Sequence, residues 1–469
     1  MPGSMSPVSD CGGPGKRREF LQIGLGSFAG LTLPGLLRLR VEAAKSASTE
    51  RKAVILIWLP GGASHLETFD PKPLASSSFR GPYSPIPTKT PGLDVSELLP
   101  NHARMSDKFA ILRSLVHTGF CHQQGTQQLL TGHPVRMLKQ KPDNPDILAI
   151  TNSLRFDPSR SIPNYVGVNG VSYIGPAYLG PVYEPFRVGG NLNQPKFQVP
   201  NIGLSDPKKA DRLQQRIQLR QSLDRLSREV DRLGNMRAFD SFESQALDML
   251  TSPRAREAFD LGRENAQVRD RYGRNSWGQQ CLMARRLVES GVELITTSFS
   301  GSLCGRVGNW DDHAVNHHVF DAMKHRAPIF DTAVTALIED LHERGLDKKV
   351  LLIVTGEFGR TPRISYVASS GKGTASAAKG VVQPGRDHWP RATSILFSGG
   401  GIPGGQVVGG TDVRGEDVVD RRVGRQDFLR TVYQHLGIDP VGIEFTNFAG
   451  RPVPIVSGGD PIAELTAQS

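Results

Sequence analysis

Cysteine is scarce and poorly spaced: the four stand at positions 11, 121, 281 and 304, with no CxxC pair. That excludes both a zinc ribbon and a dense disulfide framework. Long hydrophobic runs are also missing. One mildly apolar stretch near the N-terminus, residues 23–37, is broken by glycines and by Pro34, so no stable membrane span is expected. No internal repeat is visible. The 51 glycines and 33 prolines follow no fixed period, which excludes collagen and points to a loop-rich globular chain. Nor is charge of one sign gathered in a block. Basic residues are interleaved with acidic ones despite a formal net charge of +10. The excess favours anionic substrates or surfaces, and no nucleic-acid partner is expected. What remains, 469 residues of which 38% are hydrophobic, is enough for a large buried core and excludes disorder throughout.

The first residues look like an address. Six basic and three acidic residues precede position 47. The run Lys16-Arg17-Arg18-Glu19-Phe20-Leu21 stands just before the apolar stretch, as a charged segment precedes the hydrophobic one in an export signal. Its Arg-Arg-x-Phe-Leu pattern resembles a twin-arginine (Tat) signal, which implies the Tat export machinery as a partner and a periplasmic or extracellular location. Ala44-Lys45-Ser46 offers a small-x-small cleavage site. The leader is therefore expected to be 1–46 and the folded domain 47–469.

Four short, apolar, β-branched runs read as buried parallel strands: residues 53–59 (AVILIWL), 292–299 (VELITTSF), 350–355 (VLLIVT) and 394–397 with their flanks (TSILFSG). Helical patterns lie between them. Residues 277–290 stop at Gly291, 318–344 stop at Gly345, and 425–436 stop at Gly437. Pro328 is expected to start or kink the second of these. Helix alternating with buried strand predicts an α/β fold with a central, mainly parallel sheet covered by helices on both faces. Residues 140–290 interrupt the rhythm and read as a loop-rich and helical insertion. Within it, Leu213, Ile217, Leu223, Leu226, Val230 and Leu233 form one amphipathic stripe.

Polar clusters adjoin these strands. The densest is Asn309-Trp310-Asp311-Asp312-His313-Ala-Val-Asn316-His317-His318, whose imidazoles and carboxylates suit a divalent metal such as zinc or manganese better than calcium. Thr355-Gly356-Glu357-Phe358-Gly359-Arg360 ends a buried strand, and Gly385-Arg386-Asp387-His388-Trp389-Pro390 precedes another. Gly61-Gly62-Ala63-Ser64-His65-Leu66-Glu67 follows the first strand, and Cys121-His122-Gln123-Gln124-Gly125 leads to Leu130-Thr131-Gly132-His133-Pro134. Sites in open α/β sheets collect at the carboxyl ends of the strands. Convergence of these loops on one edge would build a site from distant sequence. Cys281, on an apolar helix face, reads as core.

Together the twin-arginine leader, GGASHLETFDPKP, LLTGHP, ARRLVESGVELI, NWDDH, GEFGRTP and GRDHWP resemble the domain-of-unknown-function family 1501. That family looks like a divergent, sulfatase-like branch of the alkaline phosphatase/sulfatase superfamily. The resemblance implies an alkaline phosphatase-like α/β sheet and a divalent metal ion. It also implies hydrolysis of an anionic phosphate or sulfate ester, such as that of a sulfated or phosphorylated glycan. By the same resemblance Asp311, His313, Glu357 and His388 fall in segments similar to ligand-bearing ones, with His65 and Glu67 as additions. His122 would act as nucleophile or acid/base, and Arg360 would bind the oxyanion. The departures are plain. The sulfatase Cys/Ser-x-Pro-x-Arg motif is absent, His122 standing nine residues before Thr131, and the usual Asp after the first strand is replaced by Pro60-Gly61-Gly62. They motivate the alternative of a catalytically lapsed envelope binding or scaffold protein.

Overall fold

In a computed structural model of the chain, the residues described are 51–195, 197–199, 202, 212, 215, 252–301, 303, 308–373 and 375–466. The leader and the stripe from Leu213 to Leu233 lie outside them. Among the described residues the main sheet has nine strands: β1 (Ala53–Trp58), β2 (Ala110–Val116), β3 (Tyr165–Val168), β4 (Phe186–Val188), β5 (Leu294–Ser298), β6 (Val350–Thr355), β7 (Thr393–Gly399), β8 (Gln406–Val408) and β9 (Val423–Gly424). Their order is β8-β2-β7-β6-β1-β5-β3-β4, with β9 pairing on β2. β1 is central and parallel to both neighbours, Val54 standing opposite Leu294 and Leu351.

Every residue of β1 is buried, which is why its sequence is continuously apolar. The two-residue alternation of a strand divides it between two cores. Ala53, Ile55 and Ile57 enter one with residues of α3 (Ser276–Glu289) and α4 (Val319–Glu343). Val54, Leu56 and Trp58 enter the other, with residues of α1 (His122–Thr131), α2 (Ile147–Leu154) and α5 (Arg425–His435). Helices thus cover both faces, as the sequence pattern predicts. α4 runs unbroken through Pro328 for 25 residues.

The direction of one strand differs from expectation. β7, expected to be parallel, runs antiparallel to both β2 and β6. Its beginning therefore lies where the parallel strands finish, and the glycines after it belong to the opposite edge, where the Gly400 amide bonds the Asp347 carbonyl at 2.6 Å. Within 140–290, some described residues join the sheet. β3 and β4 extend it, and α3 packs on it.

Candidate metal site

Five chain segments meet at one edge of the sheet. His122 is the first residue of α1, which follows β2. Asp311 and His313 lie in the loop after β5, and Glu357 and Arg360 follow β6. His388 lies opposite Arg360 in a two-residue antiparallel ribbon, Gly359–Arg360 with His388–Trp389, just before β7. The turn after β1 supplies backbone: the Gly61 amide donates to Glu357 Oε1 at 2.7 Å, and the Pro60 carbonyl accepts from the Trp310 amide at 2.8 Å.

His122, Asp311, His313 and His388 each offer a donor atom, and the four atoms lie within 4.8 Å of one another. Asp311 Oδ1 is the hub, 3.5 Å from His122 Nε2, 3.2 Å from His313 Nε2 and 3.6 Å from His388 Nε2. The outer nitrogens are already taken. His313 Nδ1 lies 2.6 Å from Asp387 Oδ1, His388 Nδ1 lies 2.8 Å from the Phe120 carbonyl, and His122 Nδ1 lies 2.8 Å from Glu357 Oε1. Carbonyl and carboxylate oxygens only accept, so each Nδ1 carries hydrogen and donates it. A neutral ring then leaves Nε2 as a lone pair. Yet His313 Nε2 and His388 Nε2 are only 2.9 Å apart beside a carboxylate oxygen. Lone pairs at that spacing repel unless a positive charge lies among them, so the donor set fits a divalent cation with borderline preference for imidazole.

The electrostatics agree. Burial opposes charge on Asp311, but His122, His388 and Arg360 outweigh it and hold the carboxyl far below its ordinary range. Burial likewise works against a charged His122. Hydrogen bonds to Asp311 and Glu357 overcome it and raise the ring to about 9. The edge is built to hold positive charge, a proton where no ion is bound.

Arg360 is turned into the protein. Its side chain is fully buried. Nε donates to the Gly62 carbonyl at 3.1 Å, Nη1 to the Arg386 carbonyl at 3.1 Å, and Nη2 to the Gly61 carbonyl and, at 2.6 Å, to Asp311 Oδ1. The guanidinium thus ties the hub carboxylate to the turn after β1. Glu357 lies outside the four-residue group, against the far nitrogen of His122. His65 and Glu67 are not brought in either. After the Gly61-Gly62 turn the chain passes inward, where His65 Nε2 bonds the Gly415 carbonyl at 2.9 Å and Glu67 pairs with Arg386 at 2.7 Å. Both side chains tether loops behind the site. Asp387, which sequence reasoning quoted within GRDHWP but did not nominate, stands directly behind His313. The Phe120 carbonyl carries no sequence signal at all.

Fold and donor set define an α/β protein with a group that could hold a metal ion at the carboxyl edge of its sheet. The chain belongs to the family described as "Protein of unknown function (DUF1501)", matched over residues 51–466. No curated protein matches it. Among solved structures it is similar to the PsFucS1 sulfatase from Pseudoalteromonas sp. (14% identity, 87% of this chain and 72% of that one, TM-score 0.34). It is also similar to a protein in the alkaline phosphatase superfamily from Vibrio parahaemolyticus (10%, 83% and 67%, TM-score 0.35). A third is the phosphonate monoester hydrolase of Agrobacterium radiobacter (13%, 88% and 78%, TM-score 0.33). Among the described residues, no helix is long and apolar enough to cross a membrane.

Proposed function

We propose that the protein is an exported, metal-dependent hydrolase of phosphate or sulfate esters. The observation that carries the reading is the convergence of three Nε2 atoms on Asp311 Oδ1, two of them 2.9 Å apart. His122, Asp311, His313 and His388 would hold one divalent ion, zinc or manganese in preference to calcium. Bound there, the ion supplies positive charge to a transferring phosphoryl or sulfuryl group and acidifies water.

The chain's own residues do the rest. Arg360 orients Asp311, and the first turn of α1 presents amides with no carbonyl partner inside the helix. That turn opens beside His122, so the positive end of the helix favours an anionic substrate next to the cation. The four donors include no hydroxyl or thiol, and the reading takes water as the attacking group, with His122 as a ligand. Export rests on the Arg17-Arg18-Glu19-Phe20-Leu21 run and on the Tat machinery that such a run addresses.

Elemental analysis of purified protein, with assays on aryl phosphates and aryl sulfates, tests the reading. Near-stoichiometric divalent metal is expected, lost together with activity in Asp311→Ala and His388→Ala. If both variants keep the metal and the activity of the parent, the reading fails. A metal-free protein, inert on the panel but retained on a polysaccharide, would identify a lapsed binding protein instead.

A further inference from the structure

The three imidazoles share one arrangement: each turns Nε2 toward Asp311 and gives its Nδ1–H to an acceptor outside the donor group. The acceptors come from separate parts of the chain. Glu357 follows β6 and is itself pinned by the Gly61 amide at 2.7 Å. Asp387 precedes the ribbon strand, its backbone amide bonded to Thr361 Oγ1 at 2.8 Å. The Phe120 carbonyl belongs to the loop before α1. A ring with one nitrogen tied in this way has both its tautomer and its rotation fixed, and a carboxylate acceptor also raises the basicity of the opposite nitrogen.

We infer that Glu357 and Asp387 are positioning residues which tie His122 and His313 for metal binding and are not themselves ligands. The inference rests on the metal-site reading above and deepens it. For Glu357 the geometry is direct: its Oε1 meets the Nδ1 side of His122, whereas Asp311 meets the Nε2 side. Asp387 stands in the same relation to His313, with Oδ1 on Nδ1 at 2.6 Å and the hub at Nε2. The two acceptors are not equivalent in setting. Glu357 is buried, and Asp387 is half exposed. Removing Asp387 therefore leaves the core intact while freeing the His313 ring.

The test uses the full-length protein stripped of metal and titrated with zinc against a chromophoric chelator, with cobalt absorption as a second readout of ligand geometry. One ion per chain is expected for the parent. Asp387→Ala and Glu357→Ala should each weaken zinc binding about 10–100-fold and alter the cobalt spectrum. Asp387→Asn and Glu357→Gln keep an oxygen acceptor and should recover much of the loss. Asp143→Ala, at an exposed carboxylate paired with Lys139 among the described residues, is the matched control and should bind as the parent does.

Unchanged affinity in Asp387→Ala overturns the inference while the site reading stands. So does a parent that binds two ions of which Glu357→Gln loses one, since Glu357 would then be a ligand. A parent that binds no ion at all overturns the site reading itself. Should Glu357→Ala fail to fold, the exposed Asp387 pair of variants decides the matter alone.

Discussion

Asp312 and Arg326 form a two-nitrogen ion pair wholly inside the protein, one residue along from the hub carboxylate. Arg326 Nη1 donates to Asp312 Oδ1 at 2.9 Å and to the Asn309 carbonyl at 2.8 Å, while Nη2 meets Oδ2. The guanidinium lies over the Trp310 ring, 4.4 Å from its centroid, and both charged side chains are fully buried. The pair anchors the loop that carries Asp311 and His313 to α4.

Removing one partner leaves a buried charge alone, which costs more than the pair contributes when intact. Arg326→Met is expected to destabilise the protein by about 3–5 kcal/mol, and Arg326→Met with Asp312→Asn should recover part of it. Urea unfolding of the parent and the two variants measures this. A midpoint unmoved by Arg326→Met would show that the loop is held otherwise.

Arg360 bonds three backbone carbonyls and Asp311 at once, and a lysine ammonium cannot reproduce that planar fork. Arg360→Lys should lower stability by roughly 2 kcal/mol or more and weaken zinc binding through a displaced Asp311. Calorimetry and chelator competition read the two effects separately. An effect on substrate affinity alone, with metal binding intact, would restore the oxyanion role to this side chain.

Gly61 has φ +104°, and a Cβ there would lie 2.4 Å from the Asp311 amide nitrogen. Gly61→Ala should therefore cost more than the roughly 1–3 kcal/mol that such a backbone conformation costs a non-glycine residue, and should disturb ion binding. Gly92, with φ +78° and nothing within 4 Å of the same added carbon, separates conformational strain from collision. If Gly61→Ala and Gly92→Ala lower the melting temperature equally, the close approach to Asp311 is unimportant.

His117 gives a pH dependence. Its Nε2–H donates to the Glu357 carbonyl at 2.6 Å, and Nδ1 accepts from the Gly119 amide at 3.0 Å, an arrangement only the neutral ring can make. Burial pushes the pKa down to about 4, against about 6.5 in an unfolded chain. Between those values the unfolded state binds the extra proton. Stability is complete above about 6.5 and falls as pH drops toward 4, by roughly 3 kcal/mol in all. Asp146, which burial raises to about 7, has the opposite slope, so the comparison must be between parent and His117→Gln. Melting curves from pH 7.5 to 4.5 should show a shallower acid decline in the variant; parallel declines would refute the assignment.

Much of the sheet was legible because β1, β5 and β6 are buried on both faces and so read as unbroken apolar runs. β2 was not, because Arg113 interrupts AILRSLV: its guanidinium reaches the Phe69 carbonyl at 2.7 Å and makes the strand look half polar. The direction of β7 has no local signature, since pairing sense depends on partners distant in sequence. That one unread fact explains how a cluster preceding a strand joins clusters that follow strands. Asp311, His313 and His388 were legible as metal-donor types beside strands. The division of labour among carboxylates was not. Glu357, Glu67 and Asp387 differ only in which face of which neighbour they meet, and composition cannot encode that.

The reversed β7 lets the chain leave and re-enter the rim at a single point. Between Arg360 and Asp387 it makes a long excursion carrying the hairpin Ser365–Ala368 with Val382–Gly385. Its two feet are laced together, the Thr361 amide to the Asp387 carbonyl and the Asp387 amide to Thr361 Oγ1, each at 2.8 Å. Such a graft can change while its laced feet stay in place, although Gln383 Nε2 and the Ser370 amide also bond the Ala314 and Val315 carbonyls just after His313. Family members that share the four donors should therefore diverge most in this stretch, which makes it the natural place to alter what the rim admits.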